Sequence, residues 1–218
     1  MKKRILSILL LCCMVLTMLP TTVLAADGPM DTIPKYDVSI DVYNRTSDIS
    51  IKDSRSYYIY SSVPDKLRDT WAWDKKIFIK GDKTAPHVFI DGVNIEMSPS
   101  SKGPAIELNK KASAYIYFIG KNSSLQGADG RAAIQKNRSE GQLYVLARTG
   151  TTVTCKGGDK AAGIGGSYAT RNISNGYYNG DMYGHGVNMH FGSRSNPDYW
   201  GGIIAAIGGN GGAGIGGG

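Results

Sequence analysis

Gly208–Gly218 reads GGNGGAGIGGG, and Ala161–Gly166 reads AAGIGG, so one isoleucine returns in one glycine-rich setting. Glycine loses more conformational freedom on ordering than any other residue. Such a run is therefore either disordered or a backbone that passes where no side chain fits. The spacing of the isoleucine decides between the two. Ala-then-Ile centres also stand in PAIEL (Pro104–Leu108) and AAIQK (Ala132–Lys136). Their isoleucines, Ile106, Ile134 and Ile164, are 28 and 30 residues apart, and Ile215 closes the series. A flexible tail has no reason to hold an apolar residue in step with upstream segments.

From Asp48 the chain is a succession of short bursts such as DISIKD, YYIYSS, KIFIKG, AYIYFIG, QLYVLAR and TTVTCKGG, separated by Gly, Asp and Asn. Val, Ile, Tyr and Phe dominate them and no sustained helical period follows residue 25, which reads as strands. A repeat of 28–30 residues is shorter than a propeller blade and fits one coil of three short parallel strands. The fold expected is a right-handed parallel β-helix, its hand following from the rule for parallel crossovers. Ile106, Ile134, Ile164 and Ile215 then stack inside it, each burial contributing about 1.5–3 kcal/mol. A 28-residue step also sets Tyr115–Phe118 against Leu143–Leu146, and Leu125 against Val153. Apolar residues on both strand parities there make Tyr115, Tyr117 and Tyr144 core in this reading. Since 22 of the 29 glycines lie from Gly141 onward, the later corners are expected to be tighter than the earlier ones.

Residues 1–25 stand apart. A basic head (Lys2, Lys3, Arg4), an apolar run from Ile5 to Leu19 and Val23-Leu24-Ala25 read as a secretory signal peptide, and an uncleaved anchor is the alternative. Residues 26–47 read as a polar spacer and 48–218 as the β-helix domain. Removing the signal takes the formal charge from +7 to +4, and leaves Cys155 as the one cysteine, without a disulfide partner. A secreted or cell-surface location follows, with no membrane contact after cleavage. Nothing resembles a nucleic-acid-binding stripe, while a mildly basic exported chain suits cell-wall polymers or acidic glycans.

The interval from Ile164 to Ile215 is 51 residues, nearly two coils, so 167–200 is expected to be an aromatic and Gly-rich insertion. Loops on a rigid solenoid are the usual place for binding residues. The final run supplies no cap, and the sequence is expected to stop partway through a longer protein. Candidate glycan-binding residues are the aromatics Trp71 and Trp73, whose indoles share a side if extended, and Tyr177, Tyr178, Tyr183, Tyr199 and Trp200 in the insertion. Aromatic faces cover the apolar faces of sugar rings while polar edges meet hydroxyls. No catalytic residue is assigned. Gly184-His185-Gly186 resembles an element of the β-helical polygalacturonases, but their Asn-Thr-Asp, Asp-Asp and Arg-Ile-Lys companions are missing, so acid and base have no candidates. His185 and His190 do not have zinc spacing, and a metal site is left open.

The stretches VFIDGVNIEM…GPAIEL, YFIGKNSSLQG…AAIQ, TTVTCKGGDKAAGIGG and GGIIAAIGGNGGAGIGGG resemble exported β-helix proteins of Gram-positive and gut bacteria, described as carbohydrate-binding domain-containing proteins. The resemblance spans about Lys75 to Gly218. It implies a non-catalytic surface protein with affinity for plant or acidic polysaccharides, with calcium in some members and no other cofactor. Three functions follow as expectations: a glycan-binding module, a structural stalk or adhesin with protein or wall partners, and, least supported, a polysaccharide lyase or hydrolase.

Overall fold

The computed structural model describes residues 34–98, 103–109, 111–136, 140–168, 186–192 and 199–217, with the backbone of 173–174 and 177–178. The expected signal peptide and the spacer up to residue 33 lie outside them. The chain is a parallel β-helix, and each regular coil visits three sheets in turn. Sheet A holds β1 (Val38–Asp41), β3 (Ser56–Tyr60), β5 (His87–Asp91), β8 (Ala114–Ile119), β11 (Leu143–Ala147) and β16 (Met189–Phe191). Sheet B holds β2 (Ile49–Ile51), β4 (Ile77–Lys80), β7 (Ile106–Asn109), β10 (Ile134–Lys136), β13 (Ile164–Gly165) and β18 (Ile215–Gly216). Sheet C holds β6 (Asn94–Glu96), β9 (Ser123–Gln126), β12 (Thr152–Lys156) and β17 (Ile203–Ile207).

The isoleucine ladder is longer than the repeat suggests. Ile49, Ile77, Ile106, Ile134, Ile164 and Ile215 are direct partners down sheet B. The first five are fully buried, whereas Ile215, on the last rung, is 48% exposed. Beside it the interior is filled by Val88, Ile116 and Val145 from sheet A and by Ile95, Leu125 and Cys155 from sheet C. Burial pushes the Cys155 thiol pKa far up, so it is an inert neutral side chain.

Four expectations need correction. The helix starts within the supposed spacer, because Val38–Asp41 pairs with Tyr57–Tyr60; Val38, Ile40 and Val42 alternate inward among polar neighbours. Tyr115 pairs with Tyr144 and Ala114 with Leu143, a step of 29 and not 28. The tyrosines occupy the outer parity of sheet A and are half-buried there, so only the other parity is interior although both are apolar. Leu125 pairs with Cys155, not Val153, a shift of two that keeps its side chain inside. The supposed insertion over 167–200 contains a rung, since β16 pairs with β11 in sheet A. Ser167 also belongs to the coil: its hydroxyl accepts from Ala132 N at 2.9 Å and donates to Gln135.

The glycine-rich corners have a steric cause. GADGRAAI, GGDKAAGI and GGNGGAGI (127–134, 157–164 and 208–215) stack as successive turns between sheets C and B. Gly158 N donates to Arg131 O and Gly209 N to Ala161 O, both at 2.9 Å. A Cβ on Gly158 would lie 1.9 Å from Ala128 O, and one on Gly209 1.8 Å from Gly158 O. Corner backbones this close leave no volume for a side chain.

Candidate functional site

Sheets A and B begin earlier in the chain than sheet C. Where an additional sheet C strand would precede β6, the chain makes one isolated bridge, Trp73 to Ile95. Residues 64–72 instead stand outside the sheet. Pro64 leads into a 3-10 turn over Asp65–Leu67, and Thr70 N and Trp71 N both donate to Leu67 O, at 3.1 and 2.8 Å. Trp73 anchors the segment: it is 3% exposed, its indole N–H donates to Arg45 O at 2.8 Å, and its backbone meets Asn94 O and Glu96 N. The wall is fixed from its other end as well. Arg68 donates to Gly92 O at 3.2 Å and to Val63 O at 3.4 Å, and Asn94 Nδ2 donates to Arg68 O at 3.0 Å.

This wall and the outer face of sheet C enclose a trough. At the corner with sheet A it opens to about 720 Å³ among Asp65, Arg68, Lys121, Asn122 and Thr154. A neck of about 140 Å³ follows at Trp71, Asn94 and Ser124. Beyond it lie about 420 Å³ bounded by Thr70, Glu96, Gln126 and Asp129. The three spaces share lining residues and follow the wall, so the trough runs along the strands.

Strand alternation makes the floor polar, because Ile95, Leu125 and Cys155 take the inward positions. Outward, Asn94, Ser124 and Thr154 form one row and Glu96, Gln126 and Lys156 another. Asn94 Oδ1 accepts from Ser124 N at 3.0 Å and Asn122 Oδ1 from Thr152 N at 2.8 Å, which tie each rung to the next. The side chains of Ser124, Thr152, Thr154 and Gln126 make no hydrogen bond among the described residues, and Asn122 keeps its amide N–H groups free. Lys121 Nζ lies 3.0 Å from Asp65 Oδ1 and Arg68 Nε 3.4 Å from the same oxygen. The Lys121 hydrogen bond, with the charges of Lys121 and Arg68, holds the Asp65 carboxyl below its ordinary pKa. It is a fixed anion, the opposite of what a proton donor to a glycosidic oxygen requires.

Of the aromatics singled out in the sequence, Trp71 lines this trough, half-buried and edge-on to Tyr43 at 5.5 Å. Trp73 is core, so the two indoles do not form an exposed pair; the second docks the wall onto β6. Tyr199 and Trp200 meet edge to face at 4.7 Å, and Trp200 rests on Tyr117 at 5.1 Å over sheet A. Tyr177 and Tyr178 form strand β15, paired antiparallel with β14 (Ile173–Ser174). Tyr183 and His185 lie outside the described residues.

Sequence reasoning missed an aromatic ladder outside sheet A. His87, Tyr115, Tyr144 and His190 stack in successive coils at 4.7, 4.5 and 4.4 Å, within 13° of parallel. Rings stacked in this way cover each other's faces and present edges to solvent. The ladder therefore ties coils together, and its inner rings, Tyr115 and Tyr144, have both faces covered by a neighbouring ring. The sequence signal was the YIY–YVL alignment, hidden by the 28-residue step. Among the described residues no group of three or more His, Cys, Asp or Glu is placed to hold a metal. No helix of the described residues is long and apolar enough to cross a membrane.

No protein-family model, curated protein or solved structure matches this chain. The class defined by the geometry is a parallel β-helix with a polar trough across one sheet.

Proposed function

We propose that this chain is an exported, non-catalytic polysaccharide-binding β-helix protein and that the trough over sheet C is its binding site. The observation that carries the reading is the trough floor: hydroxyl and amide groups without partners among the described residues, held in rows on a rigid sheet, with Trp71 at the neck. Each such group, at about 0.5–1.5 kcal/mol net, contributes little alone. Several in fixed positions, with one aromatic surface, suit a ligand dense in hydroxyls. Export is supported by the basic-then-apolar N-terminus. Calcium, expected only from the resemblance, is carried as a variable in the test.

The test is depletion of the chain from solution by insoluble and acidic polysaccharides, with and without EDTA. Wild type is expected to be depleted by at least one polymer. Trp71→Ala should weaken that binding by about tenfold, the scale of one lost contact of 1.4 kcal/mol. Trp71 also packs against the core, so Thr154→Val with Gln126→Ala, both on the floor, provide a second variant that leaves the interior intact. Tyr144→Ala, on sheet A, should bind as wild type does. No depletion of the folded protein by any polymer overturns the proposal and leaves a surface stalk with a protein partner.

A further inference from the structure

The trough differs in charge from the chain that carries it. The protein as a whole is at +7, or +4 without its first 25 residues. Asp65, Asp69, Glu96 and Asp129 line the trough against two cations, Arg68 and Lys121, four negative charges to two positive. Neither cation is free to meet a ligand acid. Lys121 is paired with Asp65 at 3.0 Å, and Arg68 is divided between Asp65 and the carbonyls of Gly92 and Val63. Of the other side chains in the two floor rows only Lys156 is charged; it lies next to Gln126 in its row but outside the residues that line the three spaces, and the rest are uncharged hydroxyls and amides.

On the reading that this trough is the glycan site, we infer that its ligand is an uncharged, hydroxyl-rich glycan segment lying along the strands, and that Asp65 sets this preference by occupying both cations. A polyuronate laid in the trough would bring its carboxylates beside a net negative lining whose two cations are already paired, Lys156 being outside that lining. Like charges brought together this way lower affinity and slow encounter. A neutral chain meets no such penalty and hydrogen-bonds the floor. From Asn122 to Gln126 the floor spans four strand steps, about 13 Å, so a short run of sugar units is held at a time. The net basicity of the chain would suggest an acidic polymer. The trough lining selects the other class.

The experiment is titration calorimetry of the full chain with cellohexaose, xylohexaose and mannohexaose, and with hexagalacturonate, at low and at physiological salt. The expected result is saturable binding of a neutral hexasaccharide, with hexagalacturonate at least about tenfold weaker and the gap narrowing as salt screens the lining. Asp65→Asn with Asp69→Asn removes two negative charges and frees Lys121 and Arg68. It should raise affinity for hexagalacturonate several-fold relative to the neutral chain. Tighter binding of hexagalacturonate than of every neutral hexasaccharide by wild type overturns the inference and leaves the glycan reading standing. An unchanged ratio in the double variant overturns the role of Asp65. Failure of all four to bind, together with no depletion by any polysaccharide, removes the glycan reading and this inference with it.

Discussion

At the scale of single residues, the corner glycines are set by distance and not by flexibility. Gly158 and Gly150 separate two causes. Gly150 has φ +83° with nothing within 4 Å of an added Cβ, so alanine there bears only the left-handed backbone cost of about 1–2 kcal/mol. Alanine at Gly158 would meet the backbone oxygen of Ala128 at 1.9 Å, and relief requires two coils to separate. Gly158→Ala is therefore expected to cost about 3 kcal/mol or more, clearly more than Gly150→Ala, measured by urea unfolding of the two variants. Equal losses would show that backbone conformation, not coil contact, demands glycine at this corner. Lys160 keeps φ 57° in the turn where Gly130 and Gly211 are also left-handed, so this position tolerates a side chain that Gly158 does not.

At the scale of elements, the outer surface of sheet A acts as a second layer of cohesion. Tyr144 stacks on Tyr115 at 4.5 Å and on His190 at 4.4 Å, and aromatic pairs contribute about 0.5–1.5 kcal/mol each. Tyr144→Ala should thus lose about 1–3 kcal/mol of stability in denaturant unfolding with glycan binding intact. Loss of binding without loss of stability would move the binding face to sheet A. The first coil depends on a carboxylate. Asp41 accepts from Tyr43 N and Ser62 N, both at 3.0 Å, and from the Ser62 hydroxyl, joining the end of β1 to the end of β3. Burial pushes its pKa up, but the hydrogen bonds from Ser62 and Tyr43 together push it further down, and the net shift is downward. A carboxyl lowered on folding adds stability that is present above its unfolded pKa and lost as pH falls through its folded value. The stability gap between wild type and Asp41→Asn is expected to be full at pH 7 and to shrink below about pH 4. A gap unchanged at pH 3 would assign the effect to hydrogen bonds that survive protonation.

For the whole molecule, a stack of coils is quasi-one-dimensional, each coil stabilised by its two neighbours. Ile77, Ile106, Ile134 and Ile164 have a rung on either side and are buried, whereas on the last described rung the inward Ile204 and Ala206 are only half-buried and Ile215 is 48% exposed. Native-state hydrogen exchange should therefore be slowest in β7–β12 and fastest in β17 and β18, with protection graded between them. Uniform protection over all rungs would mean that the helix opens as one unit. The same geometry explains the trough. Sheet C starts later than its neighbours, and the displaced residues 64–72 become a wall over the next rungs. A concave site thus arises from a difference in sheet length.

The sequence by itself determined the class of fold. An isoleucine recurring every 28–30 residues beside glycine has a place only where identical corners stack, and Ile106, Ile134, Ile164 and Ile215 are direct partners in sheet B. Periodicity is a sum over many residues and survives errors of one or two positions. The outer faces do not survive them. Apolar residues on both parities of β8 and β11 hid which face was interior, and a 29-residue step between Tyr115 and Tyr144, read as 28, set Tyr115 against Leu143 on the opposite face of β11. The short alternation at Val38–Val42 was lost among polar neighbours, and β16 was hidden inside a segment read as loop. The trough was not legible at all. Asp65, Arg68 and Trp71 are 23 to 89 positions from Asn94, Lys121, Ser124 and Thr154, and only the missing strand of sheet C brings them to one surface. Trp71 and Trp73 show the division: their spacing suggested a shared side, but tertiary packing turned one into the core and left the other in the trough.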